Sequence, residues 1–134
     1  MIAKQLMTRE VITVSPAMTV KKLATTLIKN QISGAPVTSA NGNIVGVVSE
    51  ADIVAKKGKD VASIMSRKVV TIGEDTTVAE IARLMTRHKI KRLPVVNGAA
   101  VIGIVSRADI VGAMASGKLR AVRGMTRSLG KNRR

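Results

Sequence analysis

The residues best placed for chemistry are a serine and an aspartate three positions apart, and the chain carries this pair twice. Ser49 precedes Asp52, and Ser106 precedes Asp109, at the same spacing. A serine at a helix start accepts a hydrogen bond from a free amide, and a carboxylate in the first turn suits the helix dipole. This structural role alone accounts for both pairs, so a ligand-binding role needs support from their surroundings.

Two adjacent cations, Lys91 and Arg92, follow a predicted helix and precede a predicted strand of the second copy. A guanidinium can bind a phosphate bidentately, so the pair predicts a phosphate contact. The alternative is a solvated surface pair near a helix C-terminus. The corresponding residues of the first copy, Ser33 and Gly34, are uncharged, so the two copies differ in charge at this place.

Several kinds of chemistry are not expected. The chain has one histidine, His88, and no cysteine, which argues against a multi-histidine metal site, a thiolate site or a disulfide. We find no Ser–His–acid set and no GxxxxGK[ST] phosphate loop, so the protein is not expected to be an enzyme. It has no aromatic residue, which excludes the base-stacking platform of many single-strand binders.

The Ser-x-x-Asp pairs belong to a longer repeat that must position them. Residues 44–54 read IVGVVSEADIV and residues 101–111 read VIGIVSRADIV; 7–14 likewise match 65–72, and 32–37 match 90–95. The offset is 58 residues through the prolines and 57 afterwards, so register is kept. One supersecondary unit is therefore duplicated.

Each copy reads as β-α-β-β-α, which predicts the α+β fold class. Residues 11–14 and 69–72 predict a first strand, and the apolar spacing in 19–30 and 77–88 predicts amphipathic helices. Asn-Gly at 41–42 and 97–98 predicts two hairpins, and a helix is predicted after each Ser. Thr77 with Glu80 forms a predicted capping box.

Size and charge suggest three segments: repeat 1 at 1–58, repeat 2 at 59–116 and a basic tail at 117–134. One repeat alone would be marginal in stability, so a shared core is expected.

The net charge is +15, and the tail holds seven Lys/Arg and no acid. The tail is either a solvated, partly ordered end, helical to about Met125, or a contact for an acidic partner. No signal peptide or membrane span is evident, so we expect a cytoplasmic protein.

The ordered set of motifs, present twice over residues 1–115, resembles the CBS domain, named after cystathionine β-synthase. Two such domains in tandem form a Bateman module. The resemblance implies a stand-alone pair packed about a pseudo-two-fold axis. It also implies a regulatory protein without a cofactor, binding AMP, ADP, ATP or S-adenosylmethionine in clefts between the repeats.

The resemblance also implies roles for particular residues. The aspartates, Asp52 and Asp109, would meet the ribose hydroxyls, with Ser49 and Ser106 beside them. A phosphate would meet Lys91 and Arg92, so a phosphorylated ligand is expected to occupy the second cleft first. The remaining residues implied to line the two clefts or flank the adenine are Ile32, Ala35, Val47 and Thr13 in the first copy and Ile90, Lys91, Arg92, Ile104 and Thr71 in the second.

The favoured function is a sensor that binds an adenosyl ligand and modulates an unknown protein. The alternative is a nucleic-acid-binding or scaffold protein that acts through its basic tail, with vestigial clefts. A homodimer is also expected, because the predicted helices carry more apolar surface than one small sheet needs. The residues that suggest it are Leu23, Leu27, Ile81, Leu84 and Met85.

Overall fold

The computed structural model describes residues 1–119, which form six helices and four strands. No helix in this part of the chain is long and apolar enough to cross a lipid bilayer. In chain order the elements are α1 (Ala3–Leu6), α2 (Val20–Lys29), β1 (Gly34–Thr38), β2 (Ile44–Ser49), α3 (Glu50–Ala55), α4 (Val61–Ile64), α5 (Val78–His88), β3 (Arg92–Asn97), β4 (Ala100–Ser106) and α6 (Arg107–Ala115).

The two Asn-Gly turns form the predicted hairpins. Strands β1 and β2 pair antiparallel, with Gly34 opposite Ser49 and Pro36 opposite Val47. Strands β3 and β4 form the second two-stranded sheet. Gly42 and Gly98 have φ of 85° and 64°, a conformation that glycine adopts without steric cost.

The first strand predicted for each repeat is much shorter than expected. Val14 forms a single parallel bridge to Val37, and Ile72 forms one to Val95. The Val14 amide donates to the Pro36 carbonyl at 3.1 Å. Pairing does not continue beyond Val14 and Ile72, because residues unsuited to a central strand, Ser15-Pro16 and Gly73, follow directly.

The chain divides into two compact units that do not follow the repeat boundaries. The first-repeat unit comprises Val11–Val70 and Gly98–Val101. The second-repeat unit comprises Met1–Glu10, Thr71–Asn97 and, within the described residues, 102–119. Each unit thus contains a short segment that comes from the other sequence repeat.

The first-repeat unit is built around α2, the β1–β2 hairpin and α4. The borrowed helix α4 contributes Val61 and Ile64, which are 0% and 1% exposed, and Val47 on β2 pairs with Ser66. Apolar burial of this kind is the main stabilising term of a small domain. The buried cluster consists of Val14, Leu23, Leu27, Ala35, Val37, Val48, Val61, Ile64 and Met65.

The second-repeat unit has the same construction, with α1 as the borrowed helix. The Ala3 amide donates to the Thr76 carbonyl at 2.8 Å, and Thr8 bridges Ile104 on β4. The buried apolar residues of this unit are Ala3, Leu6, Ile72, Val78, Ile81, Met85, Leu93, Val95, Val105, Ile110, Ala113 and Leu119.

Two helix ends bear on the sequence predictions. Thr77 accepts a hydrogen bond from the Glu80 amide at 3.3 Å, but the Glu80 carboxylate pairs with Arg83 at 3.5 Å, so only the Thr77 half of the predicted capping box is evident. Helix α6 ends at Ala115; Gly117, two residues further on, has a φ of 78°, and the Leu119 amide donates to the Ala113 carbonyl at 2.9 Å. The predicted tail helix to Met125 lies beyond residue 119, outside the described residues.

Candidate functional site

The second Ser-x-x-Asp pair lies where β4 passes into α6. The Ser106 amide donates to Asp109 Oδ2 at 2.7 Å, and the Asp109 amide donates to Ser106 Oγ at 3.2 Å. This reciprocal arrangement satisfies two amides that have no partner inside the helix. Both side chains are half-buried, and the carboxylate is fixed by local geometry rather than by a cation.

The predicted cationic pair lies beside this helix start. The Arg107 amide donates to the Lys91 carbonyl at 2.9 Å, and β3 begins at Arg92. Lys91 is exposed and Arg92 is half-buried. The backbone therefore brings Lys91 and Arg92 to the β4–α6 junction that carries Ser106 and Asp109. This juxtaposition is the one the sequence predicts.

The other residues predicted for the second repeat lie on neighbouring segments. Thr71 precedes Ile72, whose amide donates to the Pro94 carbonyl at 3.0 Å. Ile104 exchanges backbone hydrogen bonds with Thr8 at 2.9 and 3.0 Å, a neighbour that sequence reasoning did not identify. We call this set the second candidate site; it comprises Thr71, Ile90, Lys91, Arg92, Ile104, Ser106 and Asp109, all in the second-repeat unit.

The equivalent set in the first-repeat unit is the first candidate site. It comprises Thr13, Ile32, Ala35, Val47, Ser49 and Asp52. The Glu50 amide donates to the Ser33 carbonyl at 2.9 Å, which places residues 32–35 beside the start of α3. Ala35 is only 4% exposed, so its side chain offers almost no surface to a ligand, whereas Thr13 is exposed.

The two aspartates differ in their partners. The amide and hydroxyl of Ser49 both donate to Asp52 Oδ2, at 2.9 and 3.3 Å, as part of the helix start. The other oxygen, Asp52 Oδ1, lies 2.9 Å from Lys56 Nζ. Within residues 1–119, Asp109 makes no ion pair.

Sequence reasoning missed Lys56, although a signal was present. An aspartate followed four residues later by a lysine places opposite charges on one helix face. The second repeat has Ala113 at the corresponding position. The difference gives the two candidate sites distinct electrostatics: within residues 1–119, Lys56 neutralises the Asp52 carboxylate and no cation pairs with Asp109. In the described range, no group of three histidine, aspartate or glutamate residues could hold a metal ion.

Comparison with protein families gives a match to the CBS domain over residues 3–58 and again over 61–116. The CBS domain-containing protein YhcV of Bacillus subtilis is 30% identical, and the match covers 80% of this chain and 81% of that protein. An inosine-5'-monophosphate dehydrogenase of Methanocaldococcus jannaschii is 34% identical over 81% of this chain, but this covers only 23% of the enzyme.

Coverage of other relatives varies widely. The chain spans 75% of the uncharacterised protein MJ1426 of Methanocaldococcus jannaschii, which is 34% identical. It spans only 30% of protein MJ1404 and 22% of an L-aspartate semialdehyde sulfurtransferase from the same organism. This chain therefore corresponds to part of those longer proteins.

Solved structures agree with the family match. The structure of CBSX2 in complex with AMP has a TM-score of 0.83 and 28% identity, over 88% of this chain and 98% of that one. The CBS domain pair of protein MJ0100, in complex with 5'-methylthioadenosine and S-adenosyl-L-methionine, has a TM-score of 0.80 and 30% identity, over 85% of this chain and 99% of that one. With two matched segments and this fold, the chain belongs to the CBS domain family as a tandem pair of CBS domains.

Proposed function

We propose that the protein is a regulatory module that binds an adenosyl compound and modulates a partner protein, and that it is not an enzyme. The main support for this proposal is the environment of the Asp109 carboxylate. The Ser106 amide fixes it at 2.7 Å, and it makes no ion pair within residues 1–119. A carboxylate that is fixed in position, and that no cation of residues 1–119 neutralises, is suited to accept hydrogen bonds from a ribose diol.

The ligand class rests on the surroundings of Asp109 and on the related structures. Lys91 and Arg92 lie beside the same helix start and supply cations for a phosphate or another anionic group. CBSX2 binds AMP, and the pair of MJ0100 binds 5'-methylthioadenosine and S-adenosylmethionine. We therefore propose AMP, ADP, ATP or S-adenosylmethionine as the ligand, with the second candidate site as the preferred place.

Isothermal titration calorimetry with AMP, ATP, S-adenosylmethionine and adenosine tests this function directly. We expect at least one of them to bind saturably to the wild-type chain, with loss of affinity in Asp109→Ala. If none binds at millimolar concentration, the sensor function is refuted and the alternative below gains weight.

The alternative is a nucleic-acid contact through the basic tail, and it rests on the seven Lys/Arg in residues 117–134. Phosphate neutralisation releases counterions, so such binding falls steeply with salt. A mobility shift with duplex DNA or RNA, measured between low and physiological salt, tests it. Equal retardation of a chain truncated after residue 116 would rule out the tail.

We also propose a homodimer, although four of the five residues that suggested it are buried and the fifth, Leu84, is half-buried. Leu23, Leu27, Ile81 and Met85 are at most 4% exposed, because they form the cores of their own units. Besides Ile12, which precedes α2, four exposed large apolar side chains lie elsewhere on the helices. They are Ile28 at 76%, Val54 at 88%, Val111 at 63% and Met114 at 38%.

Exposed apolar surface of this kind favours association. Sedimentation of the wild type, compared with Val54→Asp and Val111→Asp, tests the dimer. A monomeric wild type at high micromolar concentration would contradict it.

A further inference from the structure

We infer that Lys56 closes the first candidate site to adenosyl ligands, because its ammonium occupies the carboxylate oxygen of Asp52 that a ribose diol would need. The inference rests on the proposed function and deepens it: it names the residue that makes the two repeats unequal. It concerns ribose recognition, and so it is independent of the charge difference at Lys91 and Arg92.

Both oxygens of Asp52 are already engaged. Oδ2 accepts from the amide and hydroxyl of Ser49, at 2.9 and 3.3 Å. Oδ1 lies 2.9 Å from Lys56 Nζ, and the Asp52 side chain is only 18% exposed. A diol would have to displace an ammonium or share an oxygen with it. The ammonium carries a full positive charge and attracts the carboxylate as an ion as well as donating to it, whereas the hydroxyl is neutral, so the hydroxyl is the weaker competitor.

The Lys56 ammonium is also held from its other side. It donates to the Ile64 carbonyl at 3.0 Å, at the end of α4. Helix α3 ends at Ala55, and Lys56 itself is extended, with φ of −119° and ψ of 147°. Its side chain therefore spans from the start of α3 to the end of α4. An ammonium with two fixed acceptors is harder to displace than one in a purely solvent-exposed pair.

The second repeat cannot make this contact. Ala113 stands where Lys56 would be, and its methyl group carries no charge. Helix α6 continues to Ala115, so the chain at Ala113 is still helical. In the described part of the chain Asp109 makes no ion pair. A ribose diol at Asp109 meets a carboxylate that no lysine of residues 1–119 has neutralised.

Adenosine is the appropriate probe, because it carries the ribose diol but no phosphate. The test compares the wild type with Lys56→Met, which keeps the length of the side chain and removes its charge. Lys57→Met is the matched control: Lys57 is adjacent and exposed, and within residues 1–119 it makes no ion pair. Methyl NMR signals of Val47 and Ile104 report separately on the first and second candidate sites.

We expect adenosine to shift only the Ile104 methyls in the wild type and in Lys57→Met. In Lys56→Met we expect Val47 to shift as well, with affinity at the first site raised about ten-fold to a hundred-fold. Asp52→Asn added to Lys56→Met should remove the Val47 response alone. Lys56→Gln also removes the charge and should behave like Lys56→Met. Its amide can still donate to the Ile64 carbonyl, so this variant keeps the test available if Lys56→Met does not fold.

Two results would overturn the inference while leaving the proposed function intact. One is a Val47 response in the wild type equal to that in Lys56→Met. The other is a Val47 signal that stays unmoved in folded Lys56→Met and Lys56→Gln while Ile104 responds. If neither methyl responds to adenosine in any variant, the inference fails, because removal of the Lys56 charge has not opened the first candidate site. The proposed function fails only if AMP, ATP and S-adenosylmethionine also do not bind.

Discussion

The side chain of Met7 fills the space over Gly103: a Cβ added to Gly103 would lie 2.6 Å from Met7 Sδ. Met65 and Gly46 repeat the arrangement at 2.7 Å. Each methionine belongs to a segment from the opposite sequence repeat, so each glycine accommodates the borrowed segment of its unit. These two positions require glycine because the methionine leaves no room for a side chain, and not because of an unusual backbone angle.

Replacing either glycine with alanine should destabilise the fold to different extents. At Gly46 the new methyl would also meet the Ser66 carbonyl at 2.9 Å, a backbone atom, whereas at Gly103 the three nearest atoms all belong to Met7. We expect Gly46→Ala to lose about 1–3 kcal/mol in urea unfolding, and Gly103→Ala to lose less, because the Met7 side chain can rotate away.

Gly112→Ala is the control, because nothing lies within 4 Å of its added Cβ in α6. It should stabilise by about 0.5–1 kcal/mol, as alanine favours a helix. A double-mutant cycle between Gly103→Ala and Met7→Ala should show coupling. Additive effects would contradict the proposed contact.

The second prediction separates ribose from phosphate recognition at the second candidate site. Asp109→Ala should weaken AMP and adenosine alike, by about ten-fold to a hundred-fold, because it removes a charged acceptor. Lys91→Ala and Arg92→Ala should weaken AMP and leave adenosine nearly unchanged. Calorimetry with both ligands measures this, with Lys57→Ala as the charge control.

A complementary pattern would reject this assignment. If Asp52→Ala abolished AMP binding while Asp109→Ala and Arg92→Ala left it intact, the ligand would lie at the first candidate site. Thermal unfolding of Asp109→Ala is needed beside the calorimetry, since Asp109 also caps α6.

The third prediction concerns the residue that ends α5. Lys89 has φ of 54° and ψ of 47°, a left-handed conformation that places its Cβ close to a carbonyl. Glycine has no such penalty, so Lys89→Gly should raise stability by about 1 kcal/mol. Arg87→Gly, inside the same helix, should lower stability by about 1 kcal/mol. Urea unfolding of both variants decides whether conformation or lost charge explains the change.

The fourth prediction is a pH dependence at the start of α4. Hydrogen bonds from the Ser63 hydroxyl and amide to Asp60 Oδ1, at 2.6 and 3.0 Å, lower the pKa of Asp60 from its ordinary value of 3.8. Since the folded pKa is below the unfolded one, the stabilising contribution is complete above pH 3.8 and is lost as pH falls through the folded pKa.

Asp60→Asn keeps a capping side chain that does not titrate in this range. The stability difference between the wild type and Asp60→Asn, measured by urea unfolding at several pH values, should therefore shrink below pH 3.8. A difference that stays constant down to the acid limit of folding would contradict the lowered pKa.

Much of the local structure follows from the sequence because its determinants lie within a few residues of one another. The Asn-Gly turns, the amphipathic helices and the Ser106–Asp109 helix start each depend on neighbours at most four positions apart. The duplication, read from register alone, indicated the tandem CBS pair that the family match and the related structures then showed. The Lys56–Asp52 pair had the same kind of local signal, in its four-residue spacing.

Tertiary structure alone decided which distant segments pack together. No local pattern shows that Met7 fills the space over Gly103, or that α1 and α4 each join the unit built on the other repeat. The strand predicted at 11–14 forms only one bridge for the same reason, since a strand extends only as far as a neighbouring segment pairs with it. Contacts between residues far apart in the chain depend on which buried surfaces fit, and a repeated sequence gives both units similar surfaces.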